Sequence, residues 1–174
     1  IAGRRTYADL FLKLSNDQNL RDTKLFFYDL NTKLNYKFGE KDRVFLSGYF
    51  GRDVLGLADF GISWGNATGT ARWNHIVNSK LFSNTSFIVS NYQYDISIAS
   101  DDVEINIGST LQDYNLKQEF QYFPNSRNKW TFGLNAIYHG VVPGEVTGNE
   151  NSGVNNEKQP SKLGLENAMY VSNE

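Results

Sequence analysis

His75 and His139 are the two histidines of a chain that contains no cysteine. A protein metal site needs three or four converging ligands. Neither imidazole has a carboxylate two or four positions away that would share its face of a strand. Both therefore read as wall or interface residues, and no metal is expected. Asp101, Asp102 and Glu104 form an acidic cluster whose oxygens could take Ca²⁺, but the spacing is not that of an EF-hand loop. A solvated acidic loop accounts for them. The chain has no Gly-rich phosphate loop, no Gly-x-Ser-x-Gly elbow and no supported pair of carboxylates on facing strands. The lack of cysteine excludes thiol catalysis and zinc–thiolate sites. No catalytic residue and no cofactor are expected: the sequence does not describe an enzyme.

What remains is side chains that could touch a ligand, and their placement follows from alternation. From Phe26 to Phe38 the even positions are Phe26, Tyr28, Leu30, Thr32, Leu34, Tyr36 and Phe38, while Asp29, Asn31, Lys33, Asn35 and Lys37 fall between them. Successive side chains of a strand point to opposite faces, so this is one long strand with an apolar and a wet face. Gly39–Asp42 predicts a tight turn, and Arg43–Asp53 the return strand. Further strands are expected at Phe60–Val77, Leu81–Ile98, about Ser109–Phe123, Trp130–Val142 and Leu163–Ser172. The strand Leu81–Ile98 changes phase near Ser90, which a bulge or passage out of the apolar zone would explain. Tyr92 and Tyr94 lie beyond that point. Gly3–Tyr7 could end another strand, and a short helix is expected around Asp9–Leu14.

About seven long strands in a row make an all-β, antiparallel up-and-down meander. Residues 8–22, 54–59, 97–108 and 143–161 read as long loops at one end. Short turns at Glu40, Asn78–Lys80 and Pro124–Lys129 lie at the other. Long and short connections thus alternate, as in an outer-membrane barrel. Aromatic residues flank the short turns: Tyr36, Phe38 and Phe45 at the first, Trp73 and Phe82 at the second, Tyr122, Phe123 and Trp130 at the third. Rings of this kind suit a membrane–water boundary, and a girdle at the short-turn end is expected. Composition agrees: 14% of the residues are aromatic, with 10 Tyr and 12 Phe. A net charge of −2 gives no electrostatic case for nucleic acid. Mean hydropathy of −0.49 and the lack of any long apolar run exclude a spanning helix. The chain begins with Ile and shows no signal-peptide core, as a processed chain or a fragment would.

Several strings resemble barrel strands of TonB-dependent outer-membrane receptors. They are Phe27-Tyr28-Asp29-Leu30-Asn31-Thr32-Lys33-Leu34-Asn35-Tyr36, Asp42-Arg43-Val44-Phe45-Leu46-Ser47-Gly48-Tyr49-Phe50-Gly51-Arg52-Asp53 and Trp64-Gly65-Asn66-Ala67-Thr68-Gly69-Thr70-Ala71-Arg72-Trp73-Asn74-His75. Tyr114–Phe120, Phe132–Gly140 and the closing Leu165–Glu174 are similar in the same way. The resemblance covers the chain from about Arg4 onward. It implies a barrel of about 22 strands around a plug, in the bacterial outer membrane, importing a scarce nutrient with energy passed through TonB. The chain then represents an internal part of the barrel wall, with no plug domain of its own. Its expected partners are outer-membrane lipid, the remaining strands and plug, the TonB complex, and a surface lipoprotein. Asp29, Asn31, Lys33 and Asn35 would line the lumen or meet the plug, and Tyr92 and Tyr94 would lie where cargo is gripped. Gly61, Gly65 and Gly69, all on one parity, would leave room for a close lumen or plug contact. The cargo could be a glycan, a peptide or a metal chelate. Two alternatives stand beside this: a passive porin-type barrel, and a soluble carbohydrate-binding β-sandwich.

Overall fold

Alternation at period two is realised as strand along most of the chain. The computed structural model describes residues 1–156 and 159–174. A short β1 (Ala2–Arg5) leads through helices α1 (Ala8–Leu12) and α2 (Gln18–Asp22) to the long strands. These are β2 (Lys24–Phe38), β3 (Asp42–Gly56), β4 (Phe60–Asn78), β5 (Leu81–Ser100), β6 (Val103–Asn125), β7 (Asn128–Gly148) and β8 (Lys162–Asn173). They form one sheet in the order β1 to β8, each strand antiparallel to the next. The seven long strands expected are thus present, and the stub at the front pairs as β1.

The connections differ from expectation. The stretch 8–22 holds both helices, and the Asp17 side chain caps α2 by accepting the Asn19 N–H at 2.9 Å. The loop expected at 54–59 shortens to 57–59 because β3 continues to Gly56. The loop expected at 97–108 shrinks to a turn at Asp101 and Asp102, where Asp101 has φ 44°. There Ile96 and Ile98 on β5, and Val103, Ile105 and Ile107 on β6, carry the alternation up to the turn. The loop expected at 143–161 begins only after Gly148; its residues 157 and 158 lie outside those described. The strict alternation of short and long connections therefore fails. The meander survives it, because cross-strand pairing and not loop length sets the order.

The phase change near Ser90 involves no bulge, since the register on both sides of β5 runs unbroken through that residue. Register shifts fall at Ile76/Asn78, Gly108/Thr110 and Tyr122/Asn125 instead.

A single sheet has no second layer to pack on, and among the described residues no hydrophobic side chain is buried. Leu134 is 55% exposed and Met169 82%, while the buried side chains are Asp9, Asp29 and Ser86. This inverts the distribution of a soluble domain.

Candidate functional site

Directly opposed residues of an antiparallel pair share a face, so the register sorts every strand residue. One face carries Tyr28, Leu30, Leu34 and Tyr36 of β2, Leu46 and Phe50 of β3, and Ala71 and Trp73 of β4. It continues through Phe87 and Val89, Tyr114, Leu116, Phe120 and Tyr122, Trp130, Phe132, Leu134 and Tyr138, and Leu165, Met169 and Val171. This is the apolar face.

On it, rings recur at a fixed interval. Tyr28 and Tyr36, Tyr114 and Tyr122, and Trp130 and Tyr138 are each eight positions apart. Eight residues of strand cover about 27 Å. The register row of Tyr28 runs through Arg52, Gly65 and Gln93 to Thr110, so Tyr114 lies four residues further along β6. Placing Tyr28 and Tyr114 at one depth requires a drift of four residues over four strand steps, about 3.4 Å of rise per 4.8 Å of spacing, or a tilt of about 35°; the step from β6 to β7, where Tyr114 pairs with Tyr138, adds none. Membrane barrels tilt their strands by about 35–45° around an apolar band about 25 Å tall. Projected at that tilt, the two aromatic rows stand about 22 Å apart, so they bracket such a band.

The girdle expected from sequence divides between the faces. Tyr36, Phe38, Trp73, Tyr122 and Trp130 lie on the apolar face, with Tyr36 and Phe38 in edge contact at 4.6 Å between centroids. Phe45, Phe82 and Phe123 belong to the opposite face: Phe45 pairs with Asn35 and Phe82 with Gln121, and Phe123 meets the Phe82 ring edge-on at 5.6 Å. Nearness to a turn had selected them, and parity decides against them. The second row, Tyr28, Tyr114 and Tyr138, escaped the sequence reading, although the interval of eight announces it. Asp42 was also missed. Its Oδ1 accepts the Trp73 indole N–H at 2.8 Å and lies 2.6 Å from His75 Nδ1, which fixes both rings beside the first short turn. Gly61, Gly65 and Gly69 likewise lie on the apolar face and not on the polar one, opposite Gly56, Arg52 and Gly48. Gln118 is a polar residue within the band, but its amide is satisfied by Thr85 Oγ1 at 2.6 Å and Ser83 Oγ at 2.8 Å.

The other face holds Asp29, Asn31, Lys33, Asn35, Tyr92 and Tyr94 together, and one register row joins Asp29, Gly51, Asn66 and Tyr92. Asp29 accepts from Arg4 Nε and from Asn31 Nδ2. The carboxylates lacking two or four positions from the histidines come from neighbouring strands: His139 Nδ1 lies 2.7 Å from Asp113 Oδ1, and Nε2 lies 3.7 Å from Glu166 Oε2. No group of three or more described His, Asp or Glu residues could hold a metal ion. The Asp101–Asp102 turn is tied down through its backbone, where the Asp102 carbonyl accepts from Asn149 Nδ2 at 2.7 Å.

The hydroxyl end of Tyr170 reaches Gly133 and donates to Glu119 Oε2 at 2.7 Å, which is itself 3.4 Å from Lys117 Nζ. A Cβ on Gly133 would come within 2.5 Å of the Gln118 carbonyl and 2.8 Å of the Tyr170 hydroxyl. Gly133→Ala is therefore expected to destabilise the folded barrel by about 1–3 kcal/mol. A urea titration in detergent checks this, and a midpoint equal to wild type would contradict the packing described.

Beyond the band the faces exchange polarity. On β5 the apolar side becomes Asn91, Gln93, Asp95 and Ser97, while Tyr92, Tyr94, Ile96 and Ile98 face the other way. The neighbouring strands follow, with Phe60, Ile62 and Trp64 on β4 and Ile105, Ile107 and Leu111 on β6 joining the tyrosines. The phase change at Ser90 marks this crossing.

No family model matches the chain, and no curated protein matches it in sequence. Among solved structures, it is similar to BauA, the ferric preacinetobactin receptor from Acinetobacter baumannii, with TM-score 0.56 and 12% identity over 86% of this chain and 27% of that one. It is also similar to FyuA, the ferric yersiniabactin uptake receptor from Yersinia pestis, with TM-score 0.50 and 8% identity over 87% and 26%. The chain thus spans about a quarter of the length of these receptors. At such identities the likeness speaks for architecture, and it agrees with the tilt, the apolar band and the unbroken meander. The fold of this chain is that of a run of antiparallel wall like the one these two receptors contain.

Proposed function

We propose that the chain forms part of the transmembrane wall of an outer-membrane receptor that imports a nutrient with energy supplied through TonB. The carrying observation is the apolar band itself, bracketed by two aromatic rows and inclined across the register at the tilt of a membrane barrel. Its partners on this reading are outer-membrane lipid on the apolar face, further strands at the β1 and β8 edges, and a plug against the polar face. The TonB complex, and a surface lipoprotein, would act through the whole protein.

Among glycan, peptide and metal chelate, the last is favoured, because BauA and FyuA are receptors for ferric chelates. The extension above the band supports a role in gripping cargo. Its rings at Trp64, Tyr92 and Tyr94 share the polar-face side with aliphatic neighbours, a surface suited to stacking on flat, uncharged groups.

Spin labels placed one at a time along Phe132–Tyr138 in the full-length protein, folded into a bilayer, test the membrane reading. Oxygen accessibility is expected to peak at 132, 134, 136 and 138 and to fall at 133, 135 and 137. A profile without period two would remove the lipid-facing assignment.

A further inference from the structure

The apolar face is interrupted at β5. Within the band its residues there are Ser83, Thr85, Phe87 and Val89. Thr85 pairs in register with Gln118 of β6, whose amide bonds to the Thr85 and Ser83 hydroxyls. The amide otherwise reaches only the Glu119 carbonyl, at 3.4 Å. Between the aromatic rows of the other strands, polar side chains of this face stand singly, as Thr32 on β2 and Asn167 on β8 do. Lipid tails offer neither donor nor acceptor, so a connected polar group in the band is better served by further polar groups than by lipid. Beside β5 the face is also hollow. Gly48 of β3 pairs directly with Gly69 of β4, and with Ala71 they floor a hollow of about 370 Å³ walled by Leu34, Leu46 and Phe87. On the far side of β5, Leu116 of β6 projects and is 53% exposed.

Hollow and projection lie at one depth. The register row of Gly69 runs through Val89 to Tyr114. The tilt displaces that row by about one residue per strand step. The residue of β6 level with Gly69 is therefore Leu116, two positions nearer the short turns than Tyr114. β5 runs midway between them. A two-fold axis along the membrane normal keeps every residue at its own depth. Placed at β5, it carries Leu116 of one copy into the hollow of another, and the reverse. The same axis sets Thr85 and Phe87 against their own counterparts. A hydroxyl is donor and acceptor at once, so Ser83 and Thr85 can pair with their own kind, as two carboxylates or two ammonium groups could not. We propose that a second copy of this protein packs against β4–β6 in the plane of the membrane. The inference rests on the barrel reading above, and it adds a lateral partner and the strands that meet it. An acyl chain fits less well, because it would fill the hollow but leave the hydroxyls facing hydrocarbon.

The test is disulfide formation between copies of the full-length protein in native outer membranes, with copper phenanthroline as the oxidant. Residues 1–174 contain no cysteine, and any cysteine elsewhere is replaced by serine. Thr85→Cys and Phe87→Cys, at the axis, are expected to give a disulfide-linked pair in several-fold higher yield than Met169→Cys. Met169 lies on the same face of β8 and is 82% exposed, so it reports chance collision. Ala71 is exposed, and Ala71→Leu fills the hollow from outside. It is expected to lower the yield at Thr85→Cys several-fold, while Ala71→Gly keeps it. Equal yields at the axis and at Met169 would overturn the proposal, as would a yield that Ala71→Leu leaves unchanged. The lack of any disulfide at both axis positions, with the period-two oxygen profile intact, would assign the hollow to an acyl chain and overturn it too. Failure of the barrel reading would show separately, as loss of that profile.

Discussion

Leu134→Arg is expected to lower the stability of the barrel, folded in a bilayer, by about 2–4 kcal/mol, the cost of arginine on the lipid face near the midplane. Leu134 lies on the apolar face midway between Trp130 and Tyr138 and is 55% exposed. Few neighbouring side chains cover it, so on the proposed reading its surroundings are lipid and little of the cost comes from lost packing. Asn84→Arg is the control. Asn84 projects from the polar face of β5 directly opposite Glu119, where a guanidinium meets a carboxylate and water. It should shift stability by less than about 1 kcal/mol. Equilibrium unfolding in urea from lipid vesicles measures both. Equal costs at the two sites would mean that the faces do not differ in solvent, and the membrane assignment would fall.

Strand existence and most strand limits were legible in the sequence because period two is a property of neighbouring residues. Lys33 and Leu34 announce opposite faces without any knowledge of the fold. Which residues share a depth was not legible, because depth depends on the register between strands. Phe45 and Phe82 illustrate this: each stands near a short turn, yet each points away from the apolar face. The histidines show the same limit. Asp42 and Asp113 lie 33 and 26 residues from the imidazoles they meet, and only strand pairing brings them together. The extension above the band misled differently. On either side of the Asp101–Asp102 turn, Ile96 and Ile98 and then Val103, Ile105 and Ile107 alternate with inverted polarity, so most of 97–108 reads as loop when the apolar parity is followed from below. That inversion follows from a change of surroundings along one continuous strand.

Residues 1–174 expressed alone are expected not to persist as a monomer in buffer without detergent. The folded sheet exposes 12076 Å², whereas a monomer of 19.8 kDa exposes about 8,600 Å². The excess arises because a single layer covers neither face. Leu34, Leu165 and Met169 are 67%, 68% and 82% exposed, and each such side chain left in water forgoes about 1.5–3 kcal/mol of burial. The edges add a second route to association. Among the described residues β8 has no partner on its outer side, and β2 pairs with β1 only over Tyr28–Asn31, which leaves its backbone from Thr32 to Phe38 open to another strand. Light scattering should give a mass many times 19.8 kDa in buffer, and detergent micelles should restore a strand-rich, dispersed form by covering the band. A stable strand-rich monomer in plain buffer would require a second layer over the apolar face, and the soluble β-sandwich would then become the better account of this sequence.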